Sequence, residues 1–205
     1  MRSGPVRVAH ITTIDLSLRY LLLNQLRYLQ SRGYEVTGIS APGPDVPALE
    51  AAGIRHLAVP MTRRMTPGAD FKALLQLVSL LRREQFDIIH THNPKPGLIG
   101  QIAARIAGVP IVVNTIHGLY FHEQSPWLRR TVFSSLEHLA AMCSHRILSQ
   151  SREDVDTLLA LRVCRPEMIR HLGNGIDISR FVPGIVPADV VAREKATLNL
   201  GDGPV

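Results

Sequence analysis

The stretch 86–117, FDIIHTHNPKPGLIGQIAARIAGVPIVVNTIH, contains a complete strand, helix and strand. Residues 87–91, DIIHT, form a short run centred on apolar and β-branched side chains, which is typical of a strand buried on both faces of a parallel sheet. From 97 to 107 apolar residues recur at helical spacing, between Pro96 at a first helical position and the C-cap candidate Gly108. A second strand at 111–115 puts His117 just past its carboxyl end, where open α/β sheets bind ligands.

The same alternation of strand and helix continues on both sides of this unit. Further strands are predicted at 6–12, 35–40, 55–59, 146–149 and 168–172, and helices at 18–32, 46–52, 70–83, 127–143 and after Ser151, with a short last helix near 189–199. Ser151 and Asp154 have the spacing of a capping box at the start of the helix after Ser151. This pattern predicts an α/β fold, a Rossmann-like doubly wound parallel sheet with helices on both faces. No GxGxxG follows the first strand, which disfavours a dinucleotide cofactor bound at the first turn.

Composition excludes several classes of protein. The 205 residues are 45% hydrophobic and 20% charged, which suits a globular core rather than a disordered chain. Two cysteines, Cys143 and Cys164, lack CxxC spacing and predict neither a disulfide framework nor a zinc site. The N-terminus has no apolar signal segment, so we expect a cytoplasmic protein without a membrane span.

The net charge of +6 is concentrated in the first 100 residues, which hold 12 Lys and Arg against 7 Asp and Glu. Such a surface attracts anionic headgroups or phosphorylated substrates, or is simply solvated. Aromatic and basic residues do not interleave, so we expect no nucleic-acid partner. Trp127 with Arg129 and Arg130 opens a long helix whose composition is compatible with a membrane interface.

Several loops at the predicted carboxyl edge carry further candidate residues. Asp15 and Ser17 follow the first strand, where they cap the first helix or hold a sugar hydroxyl. Asn93 and Lys95 lie beside a helix N-terminus whose free N–H groups suit an anion. His92 is expected to line a cleft. Gly118 lets a ligand approach the main chain, and a turn holding Asn174 and Asp177 follows a strand.

Histidines His90 and His92 are spaced i, i+2 and point to one face of a regular strand, as metal ligands do. With His117 they suggest a metal-dependent hydrolase as one alternative. No carboxylate follows at ligand spacing, and Lys95 places a cation next to the supposed ion, so we favour a structural His90, buried and hydrogen-bonded.

Taken in order, HTHNPKPGLIGQIAARIAGVP, TIHGLYFHE, LSQSREDVDTL and LGNGIDISRFVP resemble the N-terminal half of family-four glycosyltransferases with the GT-B fold. The TIHG and YFHE segments are similar to those of bacterial sugar transferases of surface-polysaccharide assembly. The resemblance covers about residues 6–181. It implies two Rossmann-like domains facing a cleft, of which the second, which grips the nucleotide-sugar, is absent from these residues.

The resemblance also implies a chemistry and a set of site residues. It implies a retaining, metal-independent transfer from a nucleotide-sugar donor to a glycan or lipid-diphosphate acceptor, with no further cofactor. His117 matches the family histidine that reaches toward the donor sugar, and it is expected to stabilise the transition state by hydrogen bonding. Asn174 and Asp177 match the base of the cleft. The first loop, 14–17, lacks the glycines that many members carry, so direct phosphate contact there is not expected.

These inferences give a domain at 1–182 and a linker with the start of a donor-binding domain at 183–205. The leading hypothesis is an acceptor-side glycosyltransferase domain, inactive alone, in the cytoplasm or peripherally at the inner face of the cytoplasmic membrane. The alternatives are a stand-alone module that binds a glycan or polyprenyl diphosphate, and the metal-dependent hydrolase.

Overall fold

The computed structural model describes residues 4–64, 66–92, 94–122, 124–173, 175, 182 and 184–200. Its strands are β1 (Arg7–Ile14), β2 (Glu35–Ala41), β3 (Arg55–Ala58), β4 (Ile88–His92), β5 (Ile111–Ile116), β6 (Arg146–Ser149) and β7 (Ile169–His171). Its helices are α1 (Asp15–Ser17), a π-helical segment (Leu18–Leu22), α2 (Leu23–Ser31), α3 (Val46–Ala51), α4 (Pro67–Glu84), α5 (Pro94–Ala107), α6 (Trp127–Cys143), α7 (Arg152–Ala160) and α8 (Ala188–Thr197).

The seven strands form one sheet in the order β3-β2-β1-β4-β5-β6-β7, and every pair of neighbours is parallel. The chain starts in the middle, moves outward to β3, then crosses back to β4 and moves outward the other way. The order therefore reverses between β1 and β4, and ligands bind at such a switch point in doubly wound sheets. The predicted fold class is confirmed.

Two hydrophobic clusters cover the two faces of the sheet. Ala9 and Ile11 of β1 pack with α4 and α5, while Val36 of β2 packs with the segment from Leu18 to Leu26 on the opposite face. A third cluster joins α6 and α7 to β6 and β7. Because side chains alternate along a strand, His10 lies on the face away from α5.

Close packing between β1, β4 and α5 depends on Gly100. A Cβ at this position would lie 2.8 Å from the Thr91 Cγ2 atom and 3.4 Å from the Ile11 Cδ1 atom. The missing side chain lets α5 rest on the central strands, directly behind the carboxyl edge.

The first and fourth helices depart from the prediction. The regular helix expected at 18–32 contains the π-helical segment Leu18–Leu22, yet Leu18, Leu22 and Leu26 are buried on one face. Leu18 packs over Gly38, where a Cβ would come within 2.8 Å of the Leu18 Cδ1 atom. Helix α4 begins at Pro67, not at Asp70, because the Asp70 carboxylate accepts a hydrogen bond of 2.8 Å from the Thr66 N–H at the N-cap.

The predicted long helix α6 and the capping of α7 are confirmed. The Ser151 hydroxyl accepts a hydrogen bond of 3.3 Å from the Asp154 N–H. Contacts divide the chain into two compact units, Met1–Gly173 and Asn174–Val205. The sheet belongs to the first unit, and α8 to the second. None of the helices in the described ranges combines the length and apolarity that a bilayer crossing needs.

Candidate functional site

Four histidines meet at the carboxyl edge beside the switch point. His10 comes from β1, His90 and His92 come from β4, and His117 follows β5. The strand register pairs His10 with His90 and His92 with Thr115, so adjacent strands bring these side chains together on one face. We call His10, His90, His92 and His117 the histidine network.

Hydrogen bonds link three members of the histidine network in a row. The His10 Nδ1 atom lies 2.9 Å from the His92 Nε2 atom, and the His92 Nδ1 atom lies 3.2 Å from the His117 Nε2 atom. The row ends at the surface, where the His117 Nδ1 atom lies 2.9 Å from the Gln150 Oε1 atom. His90 branches from it by stacking on His92, with ring centroids 4.2 Å apart, and its Nε2 atom lies 2.7 Å from the Thr115 hydroxyl.

The acceptor at the end of the row fixes the direction of all three hydrogen bonds. An amide oxygen only accepts, so the His117 Nδ1–H donates to Gln150. A neutral His117 then accepts at Nε2 from the His92 Nδ1–H, and His92 accepts at Nε2 from the His10 Nδ1–H. The His10 Nε2 lone pair is left buried and finds no hydrogen-bond partner among the described residues.

Burial keeps the histidine network neutral. It lowers the pKa of His10 to about 3, since the charged ring would lose its hydration. Burial also lowers the pKa of His90 and His92 well below the usual value, and neighbouring imidazoles add to that effect. The pKa of His117 is lowered mainly by burial, although its hydrogen bond to Gln150 opposes the shift.

Metal binding is the alternative use of such a cluster. His10, His90 and His92 each offer a ligand nitrogen, and these nitrogens lie within 4.8 Å of one another. Ligands of a tetrahedral zinc ion lie about 3.3 Å apart with their rings radiating from the ion. Here the His10 and His92 nitrogens bind each other, and His90 stacks on His92. The predicted metal set was His90, His92 and His117, but the three nitrogens that converge belong to His10, His90 and His92. The geometry therefore supports hydrogen bonding rather than metal ligation.

The expectation that His92 lines a cleft is corrected. The side chain is 1% exposed, because β4 is flanked by β1 and β5 and His92 lies between His10 and His117. It reaches a ligand only through the partly exposed ring of His117. The structural interpretation of His90 agrees with its burial and its hydrogen bond to Thr115.

Lys95 also differs from its expected role in anion binding. Its ammonium is buried, forms an ion pair with Asp70, and donates to the Thr62 hydroxyl at 3.0 Å and to the Arg64 carbonyl at 2.6 Å. Burial alone would raise the pKa of Asp70, but hydrogen bonds from Lys95 and Thr66 lower it below the usual value. Lys95 therefore connects α5 to the start of α4, and its ammonium does not point toward the carboxyl edge of the sheet, where a ligand would bind.

The first loop is structural as well. The Asp15 carboxylate is buried and accepts a hydrogen bond of 2.7 Å from the N–H of Asp45, which lies in the segment between β2 and α3. A Cβ on Gly43 would lie 2.4 Å from the Asp15 Oδ1 atom, so the loop closes tightly over this carboxylate. Asp15 and Ser17 were expected to cap the first helix. Asp15 is instead the first residue of α1, and neither side chain makes a capping hydrogen bond within the described part of the chain, so this expectation is wrong.

Gly118 has a φ of 131°, a backbone conformation that L side chains rarely adopt. It is exposed, and nothing described lies within 4 Å of where its Cβ would be. The main chain next to His117 is thus open to a ligand. Asn93, Asn174 and Asp177 lie outside the described residues, and their assignment as ligand-binding residues stays a prediction.

Sequence reasoning missed two members of this site, His10 and Gln150. A single histidine in an apolar strand carries no visible signal, and its pairing with His92 depends on the register between β1 and β4. Gln150 follows β6 and precedes Ser151, whose capping role was the only feature predicted there. Only the lateral order β1-β4-β5-β6 links Gln150 directly to His117, and His10 to His117 through His92.

An apolar cavity of about 450 Å³ opens on the other face of the sheet, between α4, α5 and α6. Its walls include Leu98, Ile99 and Leu136, and the ring of Tyr120 stacks on Phe133 at a centroid distance of 5.8 Å. Glu137 also borders the cavity, and burial raises its pKa to about 7. Tyr120 lies three residues after His117, so the cavity begins beside the same loop.

A Rossmann-like parallel sheet with polar side chains gathered at its switch point defines a ligand-binding α/β domain. The family model described as Glycosyltransferase Family 4 matches residues 20–180. The chain belongs to this family, which confirms the resemblance stated from its motifs.

Two curated relatives are bacterial sugar transferases. The chain is 32% identical over 189 residues to the Escherichia coli UDP-Gal:alpha-D-GlcNAc-diphosphoundecaprenol alpha-1,3-galactosyltransferase, with 90% of the chain and 49% of the relative covered. It is 28% identical to a Staphylococcus aureus capsular polysaccharide biosynthesis glycosyltransferase, with 85% and 46% covered. The chain thus spans about half the length of the curated relatives it matches.

Solved structures show the same fold. The Anabaena protein HepE, determined in complex with UDP and glucose, superposes with a TM-score of 0.66 at 16% identity. The match covers 95% of this chain and 50% of that protein. The chain therefore has the fold of one of the two halves of such a protein.

Proposed function

We propose that this chain is the acceptor-side domain of a glycosyltransferase that moves a sugar from a nucleotide-sugar to a lipid-linked or glycan acceptor. The observation that carries the proposal is His117, which ends the histidine network at the ligand edge of a family-four domain. The relative from Escherichia coli acts on a UDP-sugar and a diphosphoundecaprenol acceptor, and this substrate pair is the one we propose.

His117 and the open main chain at Gly118 are proposed to meet the donor sugar. Neutral hydrogen-bond donors aimed at developing charge stabilise a transition state without having to reorganise. The transfer is proposed to retain the configuration of the sugar, as the resemblance to family-four glycosyltransferases implies, with the acceptor hydroxyl attacking from the face that the nucleotide diphosphate leaves and His117 acting as a hydrogen-bonding group. The nucleotide would be held by residues beyond this chain, so the chain alone is proposed to be inactive.

The apolar cavity is proposed to receive the prenyl chain of a lipid-linked acceptor. Its volume lies in the range of small-molecule pockets, and its lining is mainly apolar. Trp127, at the start of α6, is 76% exposed and is followed by the exposed Leu128 and Arg129. An exposed indole beside arginines suits the interface of an anionic membrane. We therefore propose a peripheral position at the cytoplasmic face of the membrane.

Transfer from UDP-galactose to a GlcNAc-diphosphoprenol tests the proposal. The 205-residue chain and a chain extended by the C-terminal half of the Escherichia coli relative are assayed side by side. We expect product only with the extended chain, and proton NMR of that product should show the donor's own α configuration. Absence of transfer by the extended chain, across a panel of UDP-sugars, would refute the proposed function.

Within the extended chain, the substitution His117→Ala separates a role in transfer from a role in folding. We expect kcat to fall by about 10²–10³, the usual effect of removing one transition-state hydrogen-bond donor. His171→Ala serves as the matched control, because His171 is exposed on β7 and outside the histidine network. Equal rates for the two variants would remove His117 from the mechanism.

Sedimentation with vesicles tests the membrane position. The chain should bind phosphatidylglycerol vesicles at low salt and release them at high salt, while Trp127→Ser weakens binding. Binding that is absent at low salt would rule out the peripheral position and leave the transfer hypothesis intact.

A further inference from the structure

Both ring nitrogens of His117 are engaged within the protein. Nε2 faces the Nδ1 atom of His92 at 3.2 Å, and Nδ1 faces the Oε1 atom of Gln150 at 2.9 Å. A substrate that hydrogen-bonds to this ring must therefore replace one of these two partners. The identity of the partner that leaves decides which ring atom meets the sugar.

The two partners differ in their freedom to move. His92 is 1% exposed, lies in the central strand β4, and is held by His10 on one side and the ring of His90 on the other. Gln150 is partly exposed and lies in the turn between β6 and α7. Its long side chain can rotate into solvent, whereas a rotation of His92 would break two hydrogen bonds, one of them fully buried.

The direction of the row identifies the proton involved. His117 accepts at Nε2 and donates at Nδ1, and only the Nδ1–H faces a partner that can leave. The buried end of the row has no further partner at the His10 Nε2 atom among the described residues. Reversing the row would place a proton there with no acceptor for it, which costs the desolvation of a buried donor. The row thus has one favoured direction.

We propose that Gln150 is an exchangeable partner of His117, and that a hydroxyl oxygen of the donor sugar replaces it as the acceptor of the Nδ1–H. His10 and His92 are positioning residues that hold the ring while this exchange occurs. The inference rests on the proposed function. It adds which nitrogen of His117 contacts the sugar, which tautomer the ring has, and that Gln150 is the residue displaced.

The tautomer is measurable on the chain as it is. Long-range ¹H–¹⁵N correlation spectra of the ¹⁵N-histidine-labelled protein should show His10, His92 and His117 neutral at pH 7.5, each with its proton on Nδ1. A proton on Nε2 of His117 would overturn the proposal. This measurement needs no donor, acceptor or activity, so it stands or falls apart from the proposed function.

Solvent exchange of the His117 Nδ1–H identifies its partner. In Gln150→Leu the proton loses its acceptor, and we expect its exchange with water to become at least about tenfold faster, with the tautomer unchanged. The His92 Nδ1–H should exchange as in the unmodified protein. Gln124→Leu, at an exposed glutamine outside the network, is the matched control. Unchanged exchange at His117 in Gln150→Leu would show that Gln150 is not its partner.

Kinetics of the extended chain test the exchange itself. If the sugar must displace Gln150, Gln150→Leu removes the competitor and lowers KM for the donor by up to about fivefold, the value of one net hydrogen bond. Gln150→Glu binds the ring more strongly and should raise KM. A raised KM in Gln150→Leu would mean that Gln150 itself binds the sugar, which refutes the proposal.

His92→Phe tests the positioning role. Phenylalanine retains the ring volume and removes the hydrogen bond to His117, so kcat should fall while the donor KM changes less. A purely structural role would instead lower the free energy of unfolding and leave kcat per folded molecule unchanged, and that result would refute positioning. Loss of transfer by the extended unmodified chain would refute the proposed function but leave the tautomer measurement valid.

Discussion

Two buried polar clusters lie behind the carboxyl edge, one on each face of the sheet. The histidine network is neutral, and its hydrogen bonds run from the buried His10 to the partly exposed His117. The cluster of Lys95 with Asp70 is charged and closed, because the ammonium is surrounded by Asp70, Thr62 and the Arg64 carbonyl. The comparison shows that burial at a ligand edge does not by itself indicate a ligand site.

The difference between the clusters lies in what a ligand would have to replace. A neutral row can exchange its last partner for another acceptor of similar strength. A buried ion pair that loses its partner leaves an uncompensated charge, which costs several kcal/mol. We therefore expect substitutions in the histidine network to change ligand binding. Substitutions in the Lys95 cluster should change only the free energy of unfolding.

The largest expected effect comes from breaking the ion pair. Lys95→Met keeps most of the side-chain volume but leaves the Asp70 carboxylate without its cation, and because Asp70 is partly exposed the free energy of unfolding should fall by about 1–3 kcal/mol. Urea denaturation of the 205-residue chain measures this. Lys72→Met, at an exposed lysine on α4 two residues after Asp70, should change stability by less than about 0.5 kcal/mol.

A second variant sharpens that result. Asp70→Asn combined with Lys95→Met removes both charges and keeps an oxygen for the Thr66 N–H, so it should recover much of the loss. If the double variant were as unstable as Lys95→Met alone, lost packing rather than an unpaired charge would explain the effect.

The next effect separates the clusters by pH. Below about pH 6.5 the unfolded chain protonates His10, His90 and His92, while the folded chain resists because their pKa values are lowered. The contribution of these histidines to the free energy of unfolding is therefore fully present above about pH 6.5. As the pH falls below about 6.5, the free energy of unfolding decreases by up to about 1.4 kcal/mol per pH unit for each histidine. Asp70, whose pKa is also lowered, contributes its stability above about pH 3.9 and loses it only at lower pH.

Urea denaturation between pH 7.5 and 4.5 checks this order. His90→Gln removes one site of proton uptake on unfolding and still offers the Thr115 hydroxyl an amide. The slope of the free energy of unfolding against pH, measured between pH 6 and pH 5, should therefore decrease by the equivalent of about one proton. A slope that does not change in this variant would mean that His90 is not neutral in the folded protein.

The fold was largely predictable because it depends on local patterns. Apolar runs, helix caps such as Ser151 and the strand spacing are readable residue by residue, and parallel connection rules restrict how they assemble. The π-helical segment at Leu18–Leu22 was not predicted, because its leucine spacing also fits a regular helix.

The site was predictable only in part, because it depends on lateral register. His117 was predicted from its place after a strand. The partners His10 and Gln150 lie 107 residues before it and 33 residues after it, and neither belongs to a motif. Lys95 was assigned to anion binding because it lies beside a helix N-terminus, yet the first turn of α4 supplies Asp70 and turns the ammonium away from the edge.

The smallest expected effect comes from the branch of the histidine network. Thr115→Val keeps the shape of the side chain and removes the hydroxyl that pairs with the His90 Nε2 atom, so the free energy of unfolding should fall by about 1–2 kcal/mol. Thr131→Val, at an exposed position on α6, is the control and should change stability by less than about 0.5 kcal/mol. Because His90 only stacks on His92, the His117 tautomer should be unchanged in ¹⁵N spectra. A shifted tautomer would show that the branch, and not the row alone, orients the ring that faces the ligand edge.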